Sequence, residues 1–240
     1  MSGHSKWNNI KHKKEKSDAA KAKIFTKIGK EMAVAIKAAG PDPNTNSRLR
    51  DLISKAKANN VPNDNIQRTI KKFTDNSTVD FEEITYEGYG PSGVAIIVET
   101  STDNRNRTAG NVRAAFSKYG GNLGQNGCVG FMFEEKGVIT IMDEDGELDE
   151  DKIMEDALEC GAEDIKSEEG EYTIYSAPED LDTVRDGIIS LGYKIETADL
   201  AKVPTTYVEL TSEEDIENME KMLDKFNEDD DVNAVYTNMA

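Results

Sequence analysis

The chain has 240 residues, is 37% hydrophobic and 32% charged, and carries 29 Lys+Arg against 47 Asp+Glu for a net charge of -18. That length accommodates one to three domains of roughly 100–200 residues, and two cysteines, Cys128 and Cys160, without CxxC spacing exclude a disulfide scaffold. No apolar run approaches the ~18 residues of a membrane span, and the start MSGHSKWNN lacks a signal-peptide stretch, so the expected location is the cytoplasm, with both thiols reduced.

The charge is sharply polarised. Residues 1–78 hold 17 Lys+Arg against 7 Asp+Glu, net +10, whereas residues 79–240 hold 12 against 40, net -28. A basic module joined to acidic ones is the direct reading. The acidic surfaces either keep the protein in solution or face a basic partner.

Residues 1–16 are lysine-rich and aperiodic, so they are expected to be loose when unbound. From Ser17, the residues Ala20, Ile24, Phe25, Ile28, Met32, Ala35, Ile36 and Ala39 form one helical stripe, with Lys23, Lys27, Lys30 and Lys37 on the other side. Gly40-Pro41 ends that helix. Further helices are predicted over Arg48–Ala58 and from Asn63, with Ile66, Ile70 and Phe73 inward, and Thr74–Thr78 reads as a linker.

Strand and helix then alternate. Strands are predicted at Val94–Val98 and Cys128–Phe133 around a helix over 107–118. A complete β-α-β-β-α-β unit follows: Gly137–Met142, a helix over Asp149–Cys160, strands at Ile165 and Tyr172–Tyr175, a helix over Leu181–Leu191, and Tyr193–Thr197. The chain closes with a strand Tyr207–Leu210, a helix capped by Ser212 and Asp215, and a strand Val232–Tyr236. The expected fold is α+β and multidomain: a basic three-helix domain (1–78), then two ferredoxin-like domains, one split (79–136 plus 205–240) by insertion of the other, the acidic segment 137–204.

Most apparent motifs dissolve on inspection. Gly88–Gly93 spells GxGxxG, but it precedes a strand rather than opening a helix and reads as a turn. A calcium loop through Asp143-Glu144-Asp145-Gly146 has Ile141 and Lys152 at its end positions and fails. His4 and His12, the only histidines, have no cysteine nearby, so no metal, cofactor or catalytic residue is expected and the protein is read as a non-enzyme.

Two features remain. The first is the basic amphipathic unit Lys6, Lys11, Lys13, Lys14, Lys16, Lys23, Lys27, Lys30 and Lys37, with Trp7 for packing or stacking. A repeated positive face suits phosphate backbones. The bland alternatives are a solvated lysine face or a membrane-surface contact. The second is Arg105, Arg107 and Arg113 where a strand ends and a helix begins. It reads either as phosphate or carboxylate recognition or as a structural cap with internal ion pairs.

The strings GHSKW (3–7), KIFTKI (23–28), YEGYGPSG (86–93), DNRNRT (103–108) and AFSKYGGNLG (115–124) resemble the YebC family, known in mitochondria as a translational activator of cytochrome c oxidase. The resemblance spans the chain. It implies three domains in the order above, a cytoplasmic non-enzymatic regulator, and Lys6, Lys23, Lys27, Arg105, Arg107 and Arg113 as candidate contacts. It further implies a probable transcriptional regulator acting on DNA or, alternatively, a ribosome-associated factor contacting rRNA or tRNA and easing proline-rich elongation. An acidic protein-interaction scaffold is the remaining alternative. The expected partners are nucleic acid and basic ribosomal or transcription proteins, with no membrane, and the expected state is a monomer.

Overall fold

The computed structural model describes residues 18–75, 79–143, 146, 148–168 and 170–240. The expected fold class is the one found: α+β, with a helical N-terminal region, seven helices and two four-stranded antiparallel sheets among the described residues. The lysine-rich start through residue 17, part of the linker (76–78), and Glu144 and Asp145 of the acidic turn lie outside them.

Two compact units are present, one up to Phe131 together with Tyr207–Ala240, the other Met132–Thr206. The first opens with helices α1 (Asp18–Ala39), α2 (Ser47–Ala58) and α3 (Asn63–Asp75). Ile28, Met32, Ala35, Ile36, Leu49, Leu52, Ala56 and Ile66 form their shared core, as the periodicity requires. Buried Asn46 fixes the first corner: its amide donates to the carbonyls of Ala35 and Gly40, and its Oδ1 caps α2 at Leu49 N. The second corner is a Schellman closure, Val61 N to Ala56 O and Asn60 N to Lys57 O, with Asn60 at φ 58 in the left-handed region.

Strands β1 (Glu82–Tyr89) and β2 (Ala95–Thr102), helix α4 (Arg105–Lys118) and the short β3 (Asn122–Leu123) follow. After the second unit come α7 (Glu213–Glu228) and β8 (Val232–Thr237). The sheet order is β3-β1-β2-β8, with α4 and α7 covering one face through Phe116, Met219, Leu223 and Phe226. The layering is ferredoxin-like, but the domain begins with a hairpin. β1 is not among the expected strands: it takes in Gly88 and Tyr89, and Gly90–Val94 connects it to β2 as the hairpin turn. Tyr207–Leu210, expected as a strand, contributes only a bridge between Val208 and Met239.

Within this unit α1 lies against β2 and β8. Ile97 alternates to the face opposite Ile96 and Val98 and is still buried.

The second unit comprises β4 (Phe133–Met142), α5 (Glu150–Glu159), β5 (Asp164–Glu168), β6 (Glu171–Ser176), α6 (Leu181–Ser190) and β7 (Ile195–Pro204). Its order, β5-β6-β4-β7, is that of the ferredoxin-like plait. The expected strand Cys128–Phe133 is instead a bend and a 3-10 turn up to Met132, while β4 extends the expected Gly137–Met142 back to Phe133 and runs through Gly137, where a Cβ would meet Leu181 Cβ at 2.9 Å and the Ser176 hydroxyl. Here a glycine marks a close approach inside a strand rather than its end.

Candidate nucleic-acid interface

The lysine face of α1 has a partner inside the protein. Lys23 Nζ donates to Glu228 O at 2.6 Å, Lys27 Nζ to Asn227 O at 3.1 Å, and Lys30 Nζ to Asp230 O at 2.8 Å. These acceptors lie at and just past the C-terminal end of α7, where carbonyls without helical donors carry partial negative charge. Lys23 also sits 3.8 Å from the Asp230 carboxylate. Lys37, at the other end, pairs with Asp80.

Asp231 is the centre of this contact. Its side chain is 4% exposed and accepts from Lys30 at 2.7 Å, Arg107 Nη2 at 2.7 Å and Thr108 Oγ1 at 2.8 Å. Burial alone pushes its carboxyl up, but the hydrogen bonds from Lys30, Arg107 and Thr108 outweigh burial and hold it down at about 2. Around it opens a cleft of about 540 Å³ lined by cations such as Lys118 and Lys225 and by the acids Glu228 and Asp229. Lined by both signs, it is no simple phosphate pocket.

Asn104 caps α4 by accepting from Arg107 N at 3.1 Å. Of the three arginines on that helix, Arg107 is committed to Asp231 and Asp103. Arg105 and Arg113 are exposed and, among the described residues, form no ion pair. Both act on Tyr86: burial pushes its phenol up, and the two guanidinium groups pull it back. The internal-ion-pair reading therefore describes Arg107, and the anion reading stays open for Arg105 and Arg113. Lys6, Trp7, Lys11, Lys13, Lys14 and Lys16 lie outside the described residues.

The structure exposes further cations. Lys57 of α2 and Arg68 and Lys71 of α3 are exposed and form no ion pair among the described residues. Their signal was available: placing Ile66, Ile70 and Phe73 inward turns Gln67, Arg68 and Lys71 outward at 100° per residue. Among the described residues, no group of three or more His, Cys, Asp or Glu side chains is placed to hold a metal ion, and no helix is long and apolar enough to cross a membrane.

Two family models cover nearly the whole chain, "TACO1/YebC protein N-terminal domain" over residues 5–76 and "TACO1/YebC second and third domain" over residues 81–239. A protein from Agathobacter rectalis named "Probable transcriptional regulatory protein" is 54% identical over 239 residues, 99% of each chain. One of the same name from Acetivibrio thermocellus is 54% identical over 99% of this chain and 98% of its own. The crystal structure of a conserved hypothetical protein from Aquifex aeolicus is similar at TM-score 0.83 and 42% identity, covering 93% of this chain and 91% of that one.

Proposed function

Because the chain belongs to the TACO1/YebC family, we propose that it is a non-enzymatic regulator of gene expression that binds nucleic acid, with DNA as its ligand and transcription as its level of action. One observation carries this reading. Lys57, Arg68, Lys71, Arg105 and Arg113 are exposed cations without an internal ion-pair partner among the described residues, in a protein whose net charge is -18. Unpaired cations on such a background are positioned to exchange counterions with phosphates. The lysine-rich start, Lys6 to Lys16 with Trp7, adds a diffuse attraction to the same polymer. Lys23, Lys27 and Lys30 belong to the internal contact and are left out of the interface.

A second reading places the protein on ribosomal or transfer RNA. It is favoured by the positions of Arg105 and Arg113 on α4, outside the three-helix bundle, because an irregular folded polymer can touch both surfaces. Titrating the full chain with duplex DNA and with assembled ribosomes at several salt concentrations tests both. The DNA reading expects salt-dependent duplex binding that weakens when Arg68 and Lys71 become alanine. Ribosome association that weakens more than duplex binding in Arg105→Ala/Arg113→Ala favours translation. No salt-dependent binding to either would overturn the proposal.

A further inference from the structure

α2 and α3 are joined by four residues, Asn59–Pro62, closed by the Schellman hydrogen bonds. This is the connection length of a helix-turn-helix, in which the second helix reads bases with its N-terminal half. α3 has the matching residue types. Its outward face, exposed throughout, presents Asn63, Asp64, Gln67, Arg68 and Lys71, while Ile66 is buried. Asn and Gln can pair bidentately with adenine, Arg with guanine, and an Asp carboxylate can accept from the cytosine amino group. Asn63, Gln67 and Lys71 recur every four residues and so form one row.

The inward face of the helix is packed: Ile66 is buried in the three-helix core with Ile70 and Phe73 against it, and Phe73 meets Phe81 edge-on at 6.1 Å. Residues 47–75 contain seven Lys+Arg, three Asp and no Glu, a basic segment in an acidic protein. Arg50 and Lys57, exposed on α2, are placed to hold phosphates beside it.

We infer that α3 is a reading helix for the major groove of B-form DNA, with Gln67 and Arg68 contacting base edges and Lys71 a phosphate. This rests on the nucleic-acid function proposed above and gives it a site. B-form duplex is the fitting ligand because the major groove of A-form RNA is too deep and narrow for a helix.

Selection from a pool of randomised duplexes, sequenced after binding to the full chain, tests the inference. The wild type should enrich a short motif. Gln67→Ala and Arg68→Ala should each relax one position of it, costing about ten- to a hundredfold in discrimination at that base. Lys71→Ala should weaken all sequences alike and lower the salt slope by about 0.9. Gln67→Glu and Arg68→Lys, equally exposed substitutions with unchanged melting curves, should shift the motif and so separate a base contact from a folding defect. A motif unchanged in the alanine variants, or duplex binding with no motif, would overturn the inference but leave general nucleic-acid binding standing. Folded RNA bound in preference to duplex through Gln67 and Arg68 would likewise replace it. No binding of duplex or RNA by the wild type would remove both the inference and the function beneath it.

Discussion

Asp231 stands in a run of acids, Glu228-Asp229-Asp230-Asp231, that looks like a solvated turn, yet its side chain is 4% exposed and joined to Lys30, Arg107 and Thr108. Asp231→Asn should cost about 2–4 kcal/mol in urea unfolding, because it leaves two cations facing a buried neutral amide. The pH dependence follows from the carboxyl being held down at about 2. Its stabilisation is complete above the unfolded value of about 3.9 and fades as pH falls toward 2. Acid melts of the wild type should show that loss, and those of Asp231→Asn should not. Arg105 and Arg113 behave oppositely: their alanine variants should melt within about 0.5 kcal/mol of the wild type while the slope of log K against log salt falls by up to about 1.8 for the pair. Unchanged binding in that double variant would remove α4 from the interface.

At the level of elements, α1 and the C-terminal end of α7 form a cation-to-helix-terminus contact, and one experiment separates it from a phosphate site. Replacing Lys23, Lys27 and Lys30 by Glu sets three carboxylates against the carbonyls of residues 227, 228 and 230. From the sequence, the same triple reversal is expected to leave the fold intact and abolish binding. The structure instead predicts a destabilised protein, by roughly 0.5–1 kcal/mol or more per site from the helix dipole alone. Thermal unfolding by circular dichroism distinguishes the two outcomes. Helical periodicity was legible because it is local: Ile28, Met32 and Ile36 mark α1, and Ser212 receives its hydrogen bond from Asp215 N at 3.4 Å in α7. β1 was not, because Glu82, Glu83 and Glu87 interrupt its apolar pattern, and Glu87 is buried under three backbone donors from Gly127, Val129 and Gly130. The partners of Lys23, Lys27 and Lys30 were invisible for a different reason: they lie 200 or more residues away, and no local pattern encodes such a contact. The outward residues of α3 are legible in the same local way, since Ile66, Ile70 and Phe73 fix its inward face.

For the whole molecule, entry to and exit from the second unit are adjacent, Thr205 N donating to Met132 O at 2.9 Å. Replacing residues 133–204 by a short Gly-Ser loop should therefore leave the remaining chain cooperatively folded, with its nucleic-acid binding intact. Amide spectra of the trimmed protein check this; collapse of the signals of α1 and β2 would contradict it. Ending the chain at Val203 should do the reverse, since β2 loses β8 and the α1 lysines lose their acceptors. That fragment should keep its 132–203 fold and lose cooperative unfolding elsewhere.

The same distant contact sets a schedule for synthesis. Lys30 leaves the peptidyl-transferase centre 200 residues before Asp230, an interval of about 10–40 s at 5–20 residues per second. Throughout it, the lysines of α1 lack their acceptors at the end of α7 while the chain is still tethered to the ribosome. Each molecule thus passes through a period in which its most lysine-rich helix is open to any polyanion, and ends that period by making the last thirty or so residues itself. Nascent chains arrested before residue 227 should be cut by trypsin at Lys23, Lys27 and Lys30, and released full-length chains should resist.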